Sequence, residues 1–149
     1  MAKKSSIEQL NSFLRGELSA VETYRMALEK LDANSPARAE LLSCMQSHEQ
    51  RVQTLRDAII AVGGQPAEGS GPWGVFAKVV ERTARTFGDK VAIAALEEGE
   101  DHGLKDYKDG IKDDDLDAET RGILTAQLLP AQQQTHDRMS ALKHGLAKA

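Results

Sequence analysis

The sequence predicts an all-α protein made of two antiparallel helical hairpins, with a short extra helix in the connection between them. Three observations carry this. Apolar residues recur three and four positions apart over four long stretches, and no stretch alternates with the period of two that a half-buried strand needs. The breaks are short within each half, whereas residues 63–88 separate the halves. At 149 residues, 40% hydrophobic and 28% charged, the chain suits one globular domain over 1–149 with a real core.

Ser5-Ser6 opens the first helix, and Ile7, Leu10, Leu14, Glu17, Val21, Tyr24, Leu28 and Leu31 share one face of it to about residue 32. That seam is apolar except at Glu17. Residues 32–36 stop the helix, and Ser35-Pro36 restarts the chain as an N-cap followed by a first-turn proline. The second helix carries Leu41, Met45, His48, Val52, Leu55, Ile59 and Val62 on one stripe and ends at Gly63-Gly64. Residues 63–72 form a Gly/Pro-rich linker. Trp73, Phe76, Val79 and Val80 then make a short amphipathic helix that runs out near Gly88. Asp89 is expected to cap a helix over about 90–112, with Ile93, Glu97, Glu100, Leu104, Tyr107 and Ile111 on its inner face. After the acidic turn at 113–117, a last helix runs from Ala118 to about Lys143. Its apolar side is Leu124, Leu128, Ala131, Thr135, Met139, Leu142 and Leu146, with Pro130 as the candidate kink.

Short connections within each half make its two helices antiparallel. The segment between the halves is long enough to travel the length of a bundle, which is the ferritin-like arrangement: an antiparallel four-helix bundle with one long crossover and here an added helix in it. A plain up-down-up-down bundle with a docked extra helix is the other topology open at this point.

The acids on the apolar faces are the most informative feature, because a carboxylate in a core stripe is costly without a compensating cation, proton or hydrogen bonds. They also repeat. Gly16-Glu17 is followed seven residues after the acid by Tyr24, and Gly99-Glu100 by Tyr107; these are the only tyrosines in the chain. Seven residues are two helical turns, so acid and tyrosine share a face. The partner helix of each half carries a histidine in a related context, Gln46-Ser47-His48 and Gln134-Thr135-His136. The implied centre is pseudo-twofold, with acids from one helix of each hairpin and a histidine from the other.

These motifs resemble the ferritin-like di-iron proteins, and the Gly-Glu-x6-Tyr pattern is most similar to rubrerythrin. The layout is closer still to a bacterial family of small ferritin-like bundles of unknown function, in which Gly99-Glu100-Asp101 with Tyr107, and His136-Asp137-Arg138, have counterparts. The resemblance spans residues 7–143 and implies a stress-associated or metal-handling role. Carried over residue by residue, it makes Glu17 and Glu100 the inward acids, Glu97 the additional acid of a Glu-x-x-Glu, and His48 and His136 the histidines. Met45 and Gln133 stand where the bridging carboxylates of a di-iron centre belong, which argues against an oxygen-activating enzyme.

Two readings follow. In one, Glu17, His48, Glu97, Glu100 and His136 hold a single Fe, Mn or Zn ion, since carboxylate and imidazole suit these metals. In the other the bundle is metal-free and structural or interactive. Its acids then pair with His48, His136, Arg51 or Arg138, and Tyr24 and Tyr107 are hydrogen-bond donors around them.

Other classes are excluded or carry nothing. A net charge of −4 gives no phosphate-binding surface, so no nucleic acid is expected. No apolar run approaches a membrane span and no signal peptide is evident, so no membrane partner is expected either. The single cysteine, Cys44, fits a cytoplasmic protein and a packing role. His102, Glu22 and His144 fall off the inner faces, and the acidic run at 113–117 lacks the spacing of a calcium loop. Trp73 and Phe76 offer a contact patch for a second copy, a homo-oligomer, although covering the bundle is the commoner use of such residues.

Overall fold

The computed structural model describes the backbone of residues 4–71 and 74–148, with side chains at 6–71 and 77–145. Trp73 and the side chain of Phe76, read above as a contact patch, and the side chain of Leu146, read above on the apolar side of the last helix, lie outside the described residues. All regular structure within them is helical, and they contain no strand. The elements are α1 (Lys4–Lys30), α2 (Arg38–Ala61), α3 (Gly74–Phe87), α4 (Asp89–Ile111) and α5, which runs through Ala118–Ile123, a π-helical turn at Leu124–Leu128 and Leu129–Lys148.

Helix starts follow local chemistry. Ser35 does not cap α2 directly. Its hydroxyl accepts from the Ala37 N–H at 3.3 Å within a turn, and the helix begins at Arg38. Gly88 takes the place expected of Asp89 at the start of α4, because its φ of +89° suits only glycine. Asp89 is then a first-turn acid, where the helix dipole favours it. Asp117 caps α5 as expected, accepting from the Thr120 N–H at 2.7 Å.

The contacts fix the helix directions. Near the start of α1, Asn11 donates to the Gln65 carbonyl beyond the end of α2 at 2.9 Å, and at the opposite end Arg38 donates to the Leu28 carbonyl at 2.8 Å. Thus α1 and α2 are antiparallel. Glu97 with Lys143, and Glu100 with Gln132, set α4 against α5 in the same way. Helix α1 also meets α4, through the Phe13 and Tyr107 rings stacked 4.6 Å apart and through Tyr24 on Glu100. Helix α2 meets α5 through Arg51 and Thr135. The helices joined by the long crossover, α2 and α4, are therefore diagonal to one another, and α3 packs across α1 and α4.

Two apolar clusters fill the interior. One gathers Tyr24, Leu41, Cys44, Ile93, Leu96 and Met139; the other gathers Leu10, Leu14, Leu55, Ile59, Leu124 and Leu128. Every long helix carries buried polar residues between the stretches that feed these clusters: Glu17 on α1, His48 and Arg51 on α2, Glu100 on α4, Gln132 and Thr135 on α5.

The faces differ from expectation on two helices. On α4 the inward row passes through Leu96 and Gly110, leaving Glu97 and Ile111 half-buried at its edge. On α5, Pro130 has no N–H for the carbonyl of Ala126 four residues back, and a π turn precedes it. The wider turn takes up one more residue per revolution, so Gln132 is buried and Ala131 only half-buried.

Candidate functional site

The polar layer is a closed set of groups from all four long helices, with its charges on α1, α2 and α4. Glu17, His48, Arg51 and Glu100 are 4%, 2%, 2% and 3% exposed. His48 bridges the acids, with Nδ1 2.9 Å from Glu17 Oε1 and Nε2 3.0 Å from Glu100 Oε2. Only the imidazolium donates from both nitrogens at once. Burial alone lowers the His48 pKa, but the Glu17 and Glu100 charges outweigh it and the net shift is upward. Glu100 moves the opposite way. Burial pushes its carboxyl up, and the His48 charge, followed by further donors, brings it below the ordinary value.

Arg51, one turn after His48, supplies the second cation. Its Nε lies 3.2 Å from Glu17 Oε2, its Nη1 donates to Gln132 Oε1 and its Nη2 donates to Thr135 Oγ1 at 3.0 Å. Thr135 passes the polarity on, donating to Glu100 Oε1 at 2.8 Å. Gln132 Nε2 donates to the same oxygen at 3.0 Å, and Tyr24 Oη to Glu100 Oε2 at 3.0 Å. Four side chains thus donate to the Glu100 carboxylate, which matches its roughly four lone-pair sites.

The two tyrosines exchange partners between halves. Tyr24 of the first hairpin serves Glu100 of the second, and Tyr107 stands beside Glu17 of the first. Burial, then the neighbouring acid, raises both hydroxyls well above the usual tyrosine value. The exchange is not symmetric. Among the described residues, Tyr107 Oη and Glu17 Oε2 are the buried side-chain atoms without a hydrogen bond of good geometry. Cys44 lies in the adjoining cluster, its thiol pushed up to about 12 first by burial and then by the Glu100 charge, which leaves it a packing group.

The structure brings together Glu17, His48 and Glu100 of the five residues singled out in the sequence, and holds Glu97 and His136 apart from them. Glu97 is half-buried, 3.8 Å from Lys143. His136 sits on the α4–α5 edge with Nε2 on Asp101 and Nδ1 3.1 Å from Asp137. Partial burial lowers its pKa, and these two carboxylates more than reverse that. Ligand atoms of Glu97, Asp101 and His136 lie within 4.8 Å of one another, a second and more exposed carboxylate–histidine group.

Arg51, named above as a partner for the acids in the metal-free reading, Thr135, placed above on the apolar side of the last helix, and Gln132, not singled out, complete the layer. A spacing signal for them exists. His48-x-x-Arg51 begins 31 residues after Glu17, and Gln132-x-x-Thr135 begins 32 after Glu100. Each pair is one helical turn. The duplicated unit is therefore acid, tyrosine and an i, i+3 polar pair, with the pairs chemically diverged.

A cleft of about 400 Å³ opens between α1 and α4 and reaches this layer, with Glu17, His48, Glu100, Tyr107 and Gln132 on its lining. No helix among the described residues is long and apolar enough to cross a membrane.

One family model matches the chain, over residues 5–113, with the description Domain of unknown function (DUF2383). The match contains Glu17, Tyr24, His48, Arg51, Glu100 and Tyr107 and ends before α5. No curated protein and no solved structure matches significantly.

Proposed function

The chain belongs to the domain-of-unknown-function family DUF2383, and from that premise we propose a single-domain, ferritin-like bundle that keeps the di-iron architecture but not its metal, and that acts by binding rather than by oxygen chemistry. The ferritin-like topology is supported by the crossover joining the diagonal helices α2 and α4. The cytoplasmic assignment rests on a single, buried cysteine.

The observation that carries the metal-free reading is the side chain of Arg51. A metal centre of this kind needs bare imidazole nitrogen and free carboxylate lone pairs. Here both nitrogens of His48 face carboxylates, four side chains donate to Glu100, and Arg51 holds Glu17. Two acids and two cations leave the layer neutral without an ion. The donor set does not fit a divalent metal.

A second reading has its own observation. The Glu97, Asp101 and His136 group converges on the surface, and Asp137 on Nδ1 is the sort of partner that orients a ligating imidazole. It would take one Fe, Mn or Zn ion away from the buried layer.

Metal analysis separates the readings. Protein purified without chelator, then soaked with Fe, Mn or Zn and desalted, is expected to retain no stoichiometric metal that depends on Glu17 or Glu100. Metal lost on Glu100→Gln but kept in an Asp101→Asn/His136→Ala variant sinks the metal-free centre. Metal with the reverse dependence establishes the surface site instead.

A further inference from the structure

We propose that the α1–α4 cleft binds a neutral, flat small molecule built on an aromatic ring system, such as an uncharged bicyclic. This names a ligand class for the binding role proposed above. It rests on the metal-free layer, because an ion there would put charge beneath the cleft.

The cleft is the open half of a groove whose other half the fold already fills. Helix α3 packs on both α1 and α4 and sends Val80 into the apolar cluster of Tyr24, Ala27, Ile93 and Leu96. No described residue of α3 joins the cluster of Leu10, Phe13 and Tyr107, and beside that cluster the space between α1 and α4 stays open. Its volume of about 400 Å³ lies within the range of small-molecule sites.

The walls suit a flat, apolar body. Gly16 and Ala20 line the cleft from α1 and Gly99 and Gly103 from α4, so each wall there is backbone and at most a methyl group. Phe13 and Tyr107, whose rings stack, add aromatic surface, and Leu96 adds aliphatic surface. Packing accounts for Gly103 but not for Gly16. A Cβ on Gly103 would stand 2.7 Å from Gln132 Nε2, whereas one on Gly16 would meet nothing within 4 Å. A glycine inside a helix costs stability relative to alanine, so open space at Gly16 is unexplained by the fold alone.

Floor and rim decide the charge. Beneath the cleft, Glu17, His48, Arg51 and Glu100 pair with one another and are almost wholly buried. That floor presents neither a free charge nor an open acceptor, so a charged group seated on it would lose hydration without compensation. Asp106, Asp109 and Asp113 stand at the rim, and among the described residues no lysine or arginine lines the cleft. Anions are therefore repelled at the mouth. A neutral ring loses least on entry and gains the apolar walls.

The test uses the full chain, ¹⁵N-labelled, titrated at neutral pH with indole, indole-3-acetate and tryptamine, which share a ring system and differ in charge. Indole is expected to give saturable shifts in α1 around Gly16 and in α4 around Gly103. Indole-3-acetate should bind about tenfold more weakly or worse, and tryptamine no more than severalfold more tightly. Gly16→Leu and Ala20→Leu, which fill the cleft from one wall, should each weaken indole about tenfold while the protein still melts cooperatively. The second covers failure of the first to fold. Gly122→Leu, on α5 and outside the cleft lining, should leave indole affinity unchanged. Absence of saturable indole binding, equal binding of indole-3-acetate, a preference of about tenfold or more for tryptamine, or unchanged affinity in the filled variants overturns the proposal. Weakening by Gly122→Leu equal to that of the filled variants overturns it too. Metal assayed on the same samples separates the causes. Failure in metal-free protein removes this inference alone, whereas failure with an ion dependent on Glu17 and Glu100 removes the metal-free reading with it.

Discussion

Arg51 Nε lies 3.2 Å from Glu17 Oε2, and both side chains are almost wholly withdrawn from solvent. Neither charge is tolerable there alone. Arg51→Met strands Glu17 with only His48 and removes the donors to Gln132 and Thr135. The expected loss is about 3–5 kcal/mol, or on the order of 10 °C in melting temperature for a chain of this size. Glu17→Leu combined with Arg51→Met deletes one charge of each sign and should recover much of that loss. Denaturant melts of the four proteins give the coupling, and simple additivity would show the pair to be unimportant.

The layer also sets a pH window. His48 has a raised folded pKa, so its contribution is complete below the unfolded value of 6.5 and fades as pH climbs through the folded value. Glu100 has a lowered one, so its contribution is complete above the unfolded value of 4.5 and fades as pH falls through the folded value. Stability is expected to be greatest between those two pH values and to decline on the alkaline side because of His48. His48→Gln should flatten the alkaline limb specifically. A wild-type stability curve that still rises above pH 8 would contradict the assignment.

The tyrosines should differ despite their matched positions. Tyr24→Phe removes a 3.0 Å hydrogen bond to a buried carboxylate, expected to cost about 1.5–3 kcal/mol. Tyr107→Phe removes a hydroxyl with no hydrogen bond of good geometry, and should cost less than about 1 kcal/mol. Equal losses in chemical denaturation would mean that the asymmetry is not real.

Two glycines should also part ways. Gly16→Ala places a methyl in open space within a helix and is expected to stabilise by up to about 1 kcal/mol. Gly110→Ala puts a Cβ 2.6 Å from Phe13 Cζ, in a ring that stacks on Tyr107, and is expected to destabilise by about 1–3 kcal/mol. Thermal melts suffice to check both signs.

Much of this is legible in the sequence. Periodicity located the long helices, and Glu17, Glu100, Tyr24 and Tyr107 stood out as polar positions on apolar faces. Helical phase was the weaker quantity. On α4 a stripe read through Glu97 differs by one residue from the true one through Leu96, and nothing in the local pattern separates them. On α5 the π turn before Pro130 shifts the face, so a straight-helix reading passes over Gln132 and favours His136. Arg51 is legible only as one of several cations open to the buried acids. A guanidinium is rarely buried unless something pairs with it, and its partners come from α1 and α5, far away in sequence. Long-range pairing of that sort has no signature in a single helix.

The division of the layer between hairpins has a consequence for assembly. The α1–α2 half contributes Glu17, His48 and Arg51 and so carries surplus positive charge inside, while the α4–α5 half contributes only Glu100. Two copies of either half brought face to face would bury like charges against each other. The halves are thus mutually selective. An exchange of hairpins between molecules is viable only as first with second, and neither half separated from the other has a neutral interior to fold around. Whatever symmetry the repeated Gly-Glu-x6-Tyr motif began with, the charges now make the two halves obligate complements.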